Sequence, residues 1–189
     1  LARAAAIEVG LAGPVAATVE GAGLTARSAL DIVVGAGDHV IRTGGGDDRL
    51  LLLPDANAML ATGGGGDEVI ILGNFARGQY VGDQALGYGV SGFANNRSGA
   101  ASPLITGDLG DGIDVIRSFG AVNMSAMTLT GYEQIIAHSA LVLTAAQYRA
   151  LIAAADAAGQ TDAVIAFTGR GQHQLRIIGD DGPACRSGR

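Results

Sequence analysis

The sequence predicts an all-β chain wound as a right-handed parallel β-helix or β-roll, with one short α-helix. Three observations carry this expectation. A nine-residue unit of glycines, acids and aliphatics recurs four times. Short apolar strands continue on both sides of these units at roughly ten-residue spacing. A single segment near the C-terminus carries both a helix-start and a helix-stop signal.

The 189 residues suit one domain, read here as an elongated one over 1–183 with a polar tail at 184–189. There are 31 glycines against 4 prolines, with four Tyr, four Phe and no Trp, so a core built on aromatic anchors is not expected. All 12 basic residues are arginine, and the absence of lysine excludes a P-loop of the usual kind. A net charge of -6 argues against a nucleic-acid partner, which clustered cations would have to hold. An Asp-rich surface instead suits metal cations. Cys185 has no second cysteine to pair with, so no disulfide framework exists. No uncharged apolar run approaches the ~18 residues of a membrane span. The opening LARAAAIEVGLAG carries a glutamate within its apolar part and reads poorly as a signal peptide. The chain opens without Met and is read as a piece of a longer protein.

Laid out in nines, the chain gives VGAGDHVIR at 34–42, TGGGDDRLL at 43–51, GGGGDEVII at 63–71 and LGDGIDVIR at 109–117. Each is a glycine-rich turn with acids followed by a short apolar strand. Ile41, Leu50, Ile70 and Ile116 are expected to point into the coil. Between the second and third copies LLPDANAMLAT is a looser unit, two residues too long for a strict nine. Upstream, VAATVEGAG and LTARSALDIVV alternate aliphatic and small residues, as does MTLTGYEQIIAHSALVLTAAQ downstream, and these extend the ladder of strands.

Two segments break the pattern. Residues 73–107 are rich in Gly, Ser and Asn and hold Phe75, Tyr80, Tyr88 and Phe93, which makes them a long excursion. Residues 145–158 read as a helix, with Thr144 and Gln147 in a capping box and Gly159 as the stop.

Two nine-residue units make one full turn of about eighteen, and successive coils stack at the ~4.8 Å spacing of paired strands. Bare carboxylates brought face to face at that distance repel by roughly 3.5 kcal/mol at an effective dielectric near 20. A cation between them removes the repulsion. Calcium fits best, because it takes ~6–8 oxygen ligands in loose geometry, backbone carbonyls included. Glycine lets the chain turn those carbonyls inward. His39, His138 and His173 with one cysteine make no zinc spacing.

The units resemble the nonapeptide repeat of the RTX, or hemolysin-type, calcium-binding family, with its G-G-x-G-x-D-x-U-x pattern. Gly110, Gly112, Asp114 and Ile116 fall on pattern positions, as do Gly44, Gly46, Asp48 and Leu50. VGAGDHVIR departs with His39 at the acid position, and GGGGDEVII with Glu68. The expected calcium ligands are Asp48 with Glu68, supported by Asp47, Asp67 and the carbonyls about Gly44, Gly46, Gly64 and Gly66. A second, local site is expected from Asp108, Asp111 and Asp114, three apart within one turn. In this register His39 faces Asn57, and Asp114 has no acid eighteen residues away.

The resemblance implies a calcium-binding structural module of a secreted or cell-surface bacterial protein, exported unfolded through a one-step channel and folding when it meets calcium outside. Such modules serve adhesins, surface layers, toxins and exoenzymes alike. Two other readings stand beside it: a polysaccharide-acting enzyme on a β-helix, and a module that recognises a glycan or protein partner through the aromatics of 75–93. The acids also have a plain reading as solvated turn residues. No HExxH is present, so a metalloprotease domain of that type is excluded.

Overall fold

A computed structural model of the chain describes residues 6–11, 15–25, 27–54, 56–73, 104–168 and 173–179. The fold is mostly β, built of parallel sheets, with one short helix. One sheet has seven strands in the order β1 (Ala6–Leu11), β3 (Ala29–Val34), β5 (Arg49–Leu52), β8 (Glu68–Leu72), β11 (Val115–Phe119), β14 (Gln134–Ala137) and β16 (Ile165–Phe167). A second has five, running β13 (Thr128–Thr130), β9 (Leu104–Asp108), β6 (Ala56–Ala61), β4 (Gly37–Arg42) and β2 (Thr18–Glu20). From β1 to β6 the chain visits the two sheets alternately, and each strand pairs in parallel with its counterpart one coil further on. Shorter ladders complete the set: β7 (Gly64–Gly65) with β10 (Asp111–Gly112), and β12 (Val122–Asn123), β15 (Ala140–Thr144) and β17 (Gln174–Ile178).

The coil period is set by sequence. Asp31 pairs with Arg49, and Arg49 with Glu68, steps of 18 and 19 residues. The next step, Glu68 to Val115, is 47 residues. The expected excursion of 73–107 is corrected at its C-terminal end: Leu104–Asp108 is a strand, paired with β6. Its Ile105 and Thr106 supply the β-branched character that the surrounding glycines obscured. Residues 74–103, including the four aromatics from Phe75 to Phe93, lie outside the described residues, as does the tail at 184–189.

Alternation puts one face of each strand into a common core. Leu30, Ile32 and Val34 of β3, Leu50 and Leu52 of β5, and Val69 and Ile71 of β8 meet Ile41, Leu60 and Ile105 of the five-stranded sheet. Each buried aliphatic contributes roughly 1.5–3 kcal/mol relative to exposure. Ile41, Leu50 and Ile116 point inward as expected, but Ile70 does not. It belongs to a second cluster with Leu51, Leu72 and Phe119, on the opposite face of the seven-stranded sheet. The reason is a one-residue register shift in the third copy, which exchanges the faces of every side chain in the strand.

The helix α1 (Ala145–Ala157) forms where the capping box placed it. Thr144 Oγ1 accepts from the backbone N–H of Gln147, and Gln147 Oε1 accepts from that of Thr144. Gln147 Nε2 also donates to the carbonyls of Met124 and Met127, which fixes the helix start to the neighbouring coil. At the other end Gly159 takes a positive φ of 69°. Among the described residues no helix is long and apolar enough to cross a membrane.

Candidate metal site: an acid ladder beneath the glycine turns

The repeats stack in a register that their four consecutive glycines concealed. Gly64 pairs with Asp111 and Gly65 with Gly112, while Glu68 pairs with Arg49 and Val115. Gly44, Gly63 and Gly110 therefore form one column down the turns, and Gly46, Gly65 and Gly112 a second. Both columns exclude side chains. A Cβ on Gly63 would lie 2.4 Å from Gly44 O, and one on Gly112 would lie 1.5 Å from Gly65 O. Gly112 also sits at φ 147°, where an L side chain is strained in any case.

Two residues beyond the second glycine column comes the acid. Asp48, Asp67, Asp114 and Glu133 stand one above another in consecutive coils, at 1%, 1%, 0% and 7% exposure. Each carboxylate accepts the backbone N–H of the residue stacked in the preceding coil. Leu30 donates to Asp48 Oδ1 at 2.8 Å, and Asp48 to Asp67 Oδ1 at 2.8 Å. Asp67 donates to Asp114 Oδ1 at 2.7 Å, and Asp114 to Glu133 Oε2 at 2.8 Å. At this corner the turn has no β ladder of its own, so the carboxylates take over the N–H groups that a strand would have paired.

One oxygen of each aspartate is thereby used, and the other is not. Asp48 Oδ2, Asp67 Oδ2 and Asp114 Oδ2 are buried and accept no hydrogen bond of good geometry. Burial without compensation disfavours the ionised form. It raises the Asp48 pKa, pushes Asp67 up to about 6 and pushes Asp114 up to about 7. Desolvation is the largest cause in all three. Neighbouring acids add to it: Asp67, Glu133 and Asp108 act on Asp114, whereas Asp48 feels Asp47. Threonine hydroxyls oppose the rise at Asp48 (Thr43) and Asp67 (Thr62).

The donor set is oxygen only, which suits a hard cation such as calcium, and the orphaned oxygens and glycine cradle are the features such an ion would use. The acids are strung along the column: among the described residues no three acidic, histidine or cysteine side chains gather about one point. An ion here would be held by acids of adjacent coils, with carbonyls making up the shell. A shallow groove of about 580 Å³ over the glycine columns, lined by Arg42, Thr43, Thr62 and Asp111 among others, gives solvent access to the turns.

The expected ligands divide accordingly. Asp48 and Asp67 are in the ladder, and Asp67 rather than Glu68 lies opposite Asp48. In the third copy Gly63 and Gly65, not Gly64 and Gly66, occupy the close-packed columns. Glu68 turns outward between two arginines, with Oε1 at 2.8 Å from Arg117 Nε and Oε2 at 3.4 Å from Arg49 Nε. Asp47 is exposed and its Oδ1 accepts from Gly66 N at 2.9 Å. Asp108, Asp111 and Asp114 do not converge into a local site. Asp108 is exposed and accepts from Thr130 Oγ1, Asp111 is exposed, and Asp114 is fully buried and faces Asp67 and Glu133 instead. Asp38, not His39, lies opposite Asn57 and accepts from its side chain. His39 is buried opposite Ala58, with Nε2 3.1 Å from Ala36 O.

Two features escaped the repeat pattern. Glu133 closes the ladder from a turn, TGYE, that has lost the second glycine. Thr43 and Thr62 open their turns at matched positions, where the fourth copy has Leu109. The shared T-G start of 43–44, 62–63 and 130–131 was the available signal. No protein-family model, curated protein or solved structure matches the chain.

Proposed function

We propose that this chain is a calcium-binding structural module whose parallel coils close into a right-handed β-roll, in a secreted or cell-surface bacterial protein that it serves as scaffold or adhesive domain. The observation that supports this reading is the row of buried, uncompensated carboxylate oxygens on Asp48, Asp67 and Asp114 beneath two side-chain-free glycine columns. Stacking these acids opposes folding, and a divalent cation between coils converts the same stacking into a favourable contact. The family resemblance of the nine-residue units points to the same ion and to export ahead of folding.

Circular dichroism of the chain, titrated with calcium after EGTA, tests it. Strand signal and thermal midpoint should rise with calcium and fall back when the chelator is restored. A fold that is indifferent to both additions removes the function.

A further inference from the structure

The levels of the ladder differ in how much the protein itself compensates them. Above Asp48 lies Leu30, which carries no charge, and the Thr43 hydroxyl beside it has no other partner and is available to it. Thr62, beside Asp67, also lies against the carbonyl of Leu109, so its single proton is shared between that carbonyl and Asp67. Beside Asp114 the matched position is Leu109, which has no hydroxyl. Asp67 and Asp114 each have an acid stacked on both sides, Asp48 and Asp114 about the first and Asp67 and Glu133 about the second, whereas Asp48 has one on a single side. Asp108 adds a third like charge at Asp114.

We propose that calcium engages this chain first between the coils of Asp67 and Asp114, rather than at the Asp47–Asp48 turn where the repeat is most regular. The inference rests on the calcium reading above and adds an order of filling to it. It has a topological consequence. Asp67 and Asp114 belong to the two coils that are 47 residues apart, so the first ion ties together the coils between which residues 74–103 are inserted. An ion seated there joins neighbouring strands that are 47 residues apart in sequence, against 18 and 19 for the two steps before it. Glu133 closes the level from below.

The test is the calcium midpoint of folding of the 189-residue chain, followed by circular dichroism, in Asp48→Asn, Asp67→Asn and Asp114→Asn variants. Asparagine keeps one oxygen to accept the ladder N–H, so the bond between coils survives. Asp67→Asn and Asp114→Asn should each raise the midpoint about tenfold or more, and Asp48→Asn no more than about threefold. An Asp48→Asn shift equal to or larger than the other two overturns the order of filling and leaves the calcium reading standing. Folding that ignores calcium in the unsubstituted chain overturns both. Should Asp114→Asn fail to fold, hydrogen exchange on the unsubstituted chain at limiting calcium decides. Protection that reaches 62–72 and 104–119 before 28–52 supports the order, and the reverse sequence overturns it.

Discussion

The backbone N–H of Asp67 donates to the carboxylate of Asp114 at 2.7 Å across 47 residues of sequence. Asp67 at the same time accepts the N–H of Asp48. Each acid of the ladder is thus donor to one neighbour and acceptor from the other, and the corner of the stack is held by a continuous run of charge-assisted bonds. Such a run is rigid when every member has its charge settled, and costly when it has not.

The first expectation concerns pH. A carboxyl whose folded pKa lies above its unfolded value near 3.8 contributes stability below that value and loses it as the pH rises through the folded pKa. Asp67 and Asp114, at about 6 and about 7, set the window. In EGTA the thermal midpoint should therefore fall steadily between pH 5 and pH 8. Saturating calcium should flatten the fall, because the ion holds the carboxylates charged. A midpoint in EGTA that rises over this range would show that the acids are not buried as a stack.

Glu68 offers a second test, since the repeat pattern and the pairing assign it different roles. Its carboxylate sits between Arg49 and Arg117 at the half-exposed surface. Glu68→Gln should cost about 0.5–1 kcal/mol in urea unfolding, the usual worth of such pairs, and that cost should shrink in high salt. The calcium midpoint of folding should not move. A tenfold shift would return Glu68 to the ion.

How far the sequence could be read depended on what it left degenerate. Alternating aliphatics in ALDIVV and the box of Thr144 with Gln147 each admit one solution, and β3 and α1 appear where they fall. The run Gly63–Gly66 admits two, because any of its glycines can be laid on the pattern. Only pairing with Gly46 and Gly112 fixes it, and the choice moves the acid from Glu68 to Asp67 and Ile70 from the inner to the outer face. Glu133 was hidden by length. Seven residues separate Asp108 from Val115 but four separate Thr130 from Gln134, so a nine-residue frame cannot align the last turn. The match of Asp114 to Asp67 was hidden by the long insertion, which no fixed period can cross.

Helix α1 is expected to depend on its cap. Thr144→Ala removes the acceptor for the Gln147 N–H and should cost about 1 kcal/mol. Gln147→Ala removes the reciprocal bond together with the two contacts to Met124 and Met127, so it should cost more than Thr144→Ala. Loss of helical signal without any change at the calcium midpoint would place the helix outside the ion-dependent part of the fold. The opposite result would couple them through β15.

The glycine columns give the sharpest contrast in stability. Gly112→Ala sets a methyl 1.5 Å from Gly65 O, a backbone atom that cannot move without parting the coils, and does so at φ 147°. The conformational strain alone is about 1–3 kcal/mol, and separation of the coils adds to it. Gly23→Ala, by comparison, meets nothing within 4 Å and should change the urea midpoint little. Because Gly112 lies two residues before Asp114, forcing its coil away also lengthens the bond between Asp67 and Asp114. Gly112→Ala should therefore raise the calcium requirement as well as lower stability, whereas Gly23→Ala should alter neither. Equal behaviour of the two variants would mean that the coils do not approach as closely as the pairing of Gly65 with Gly112 requires.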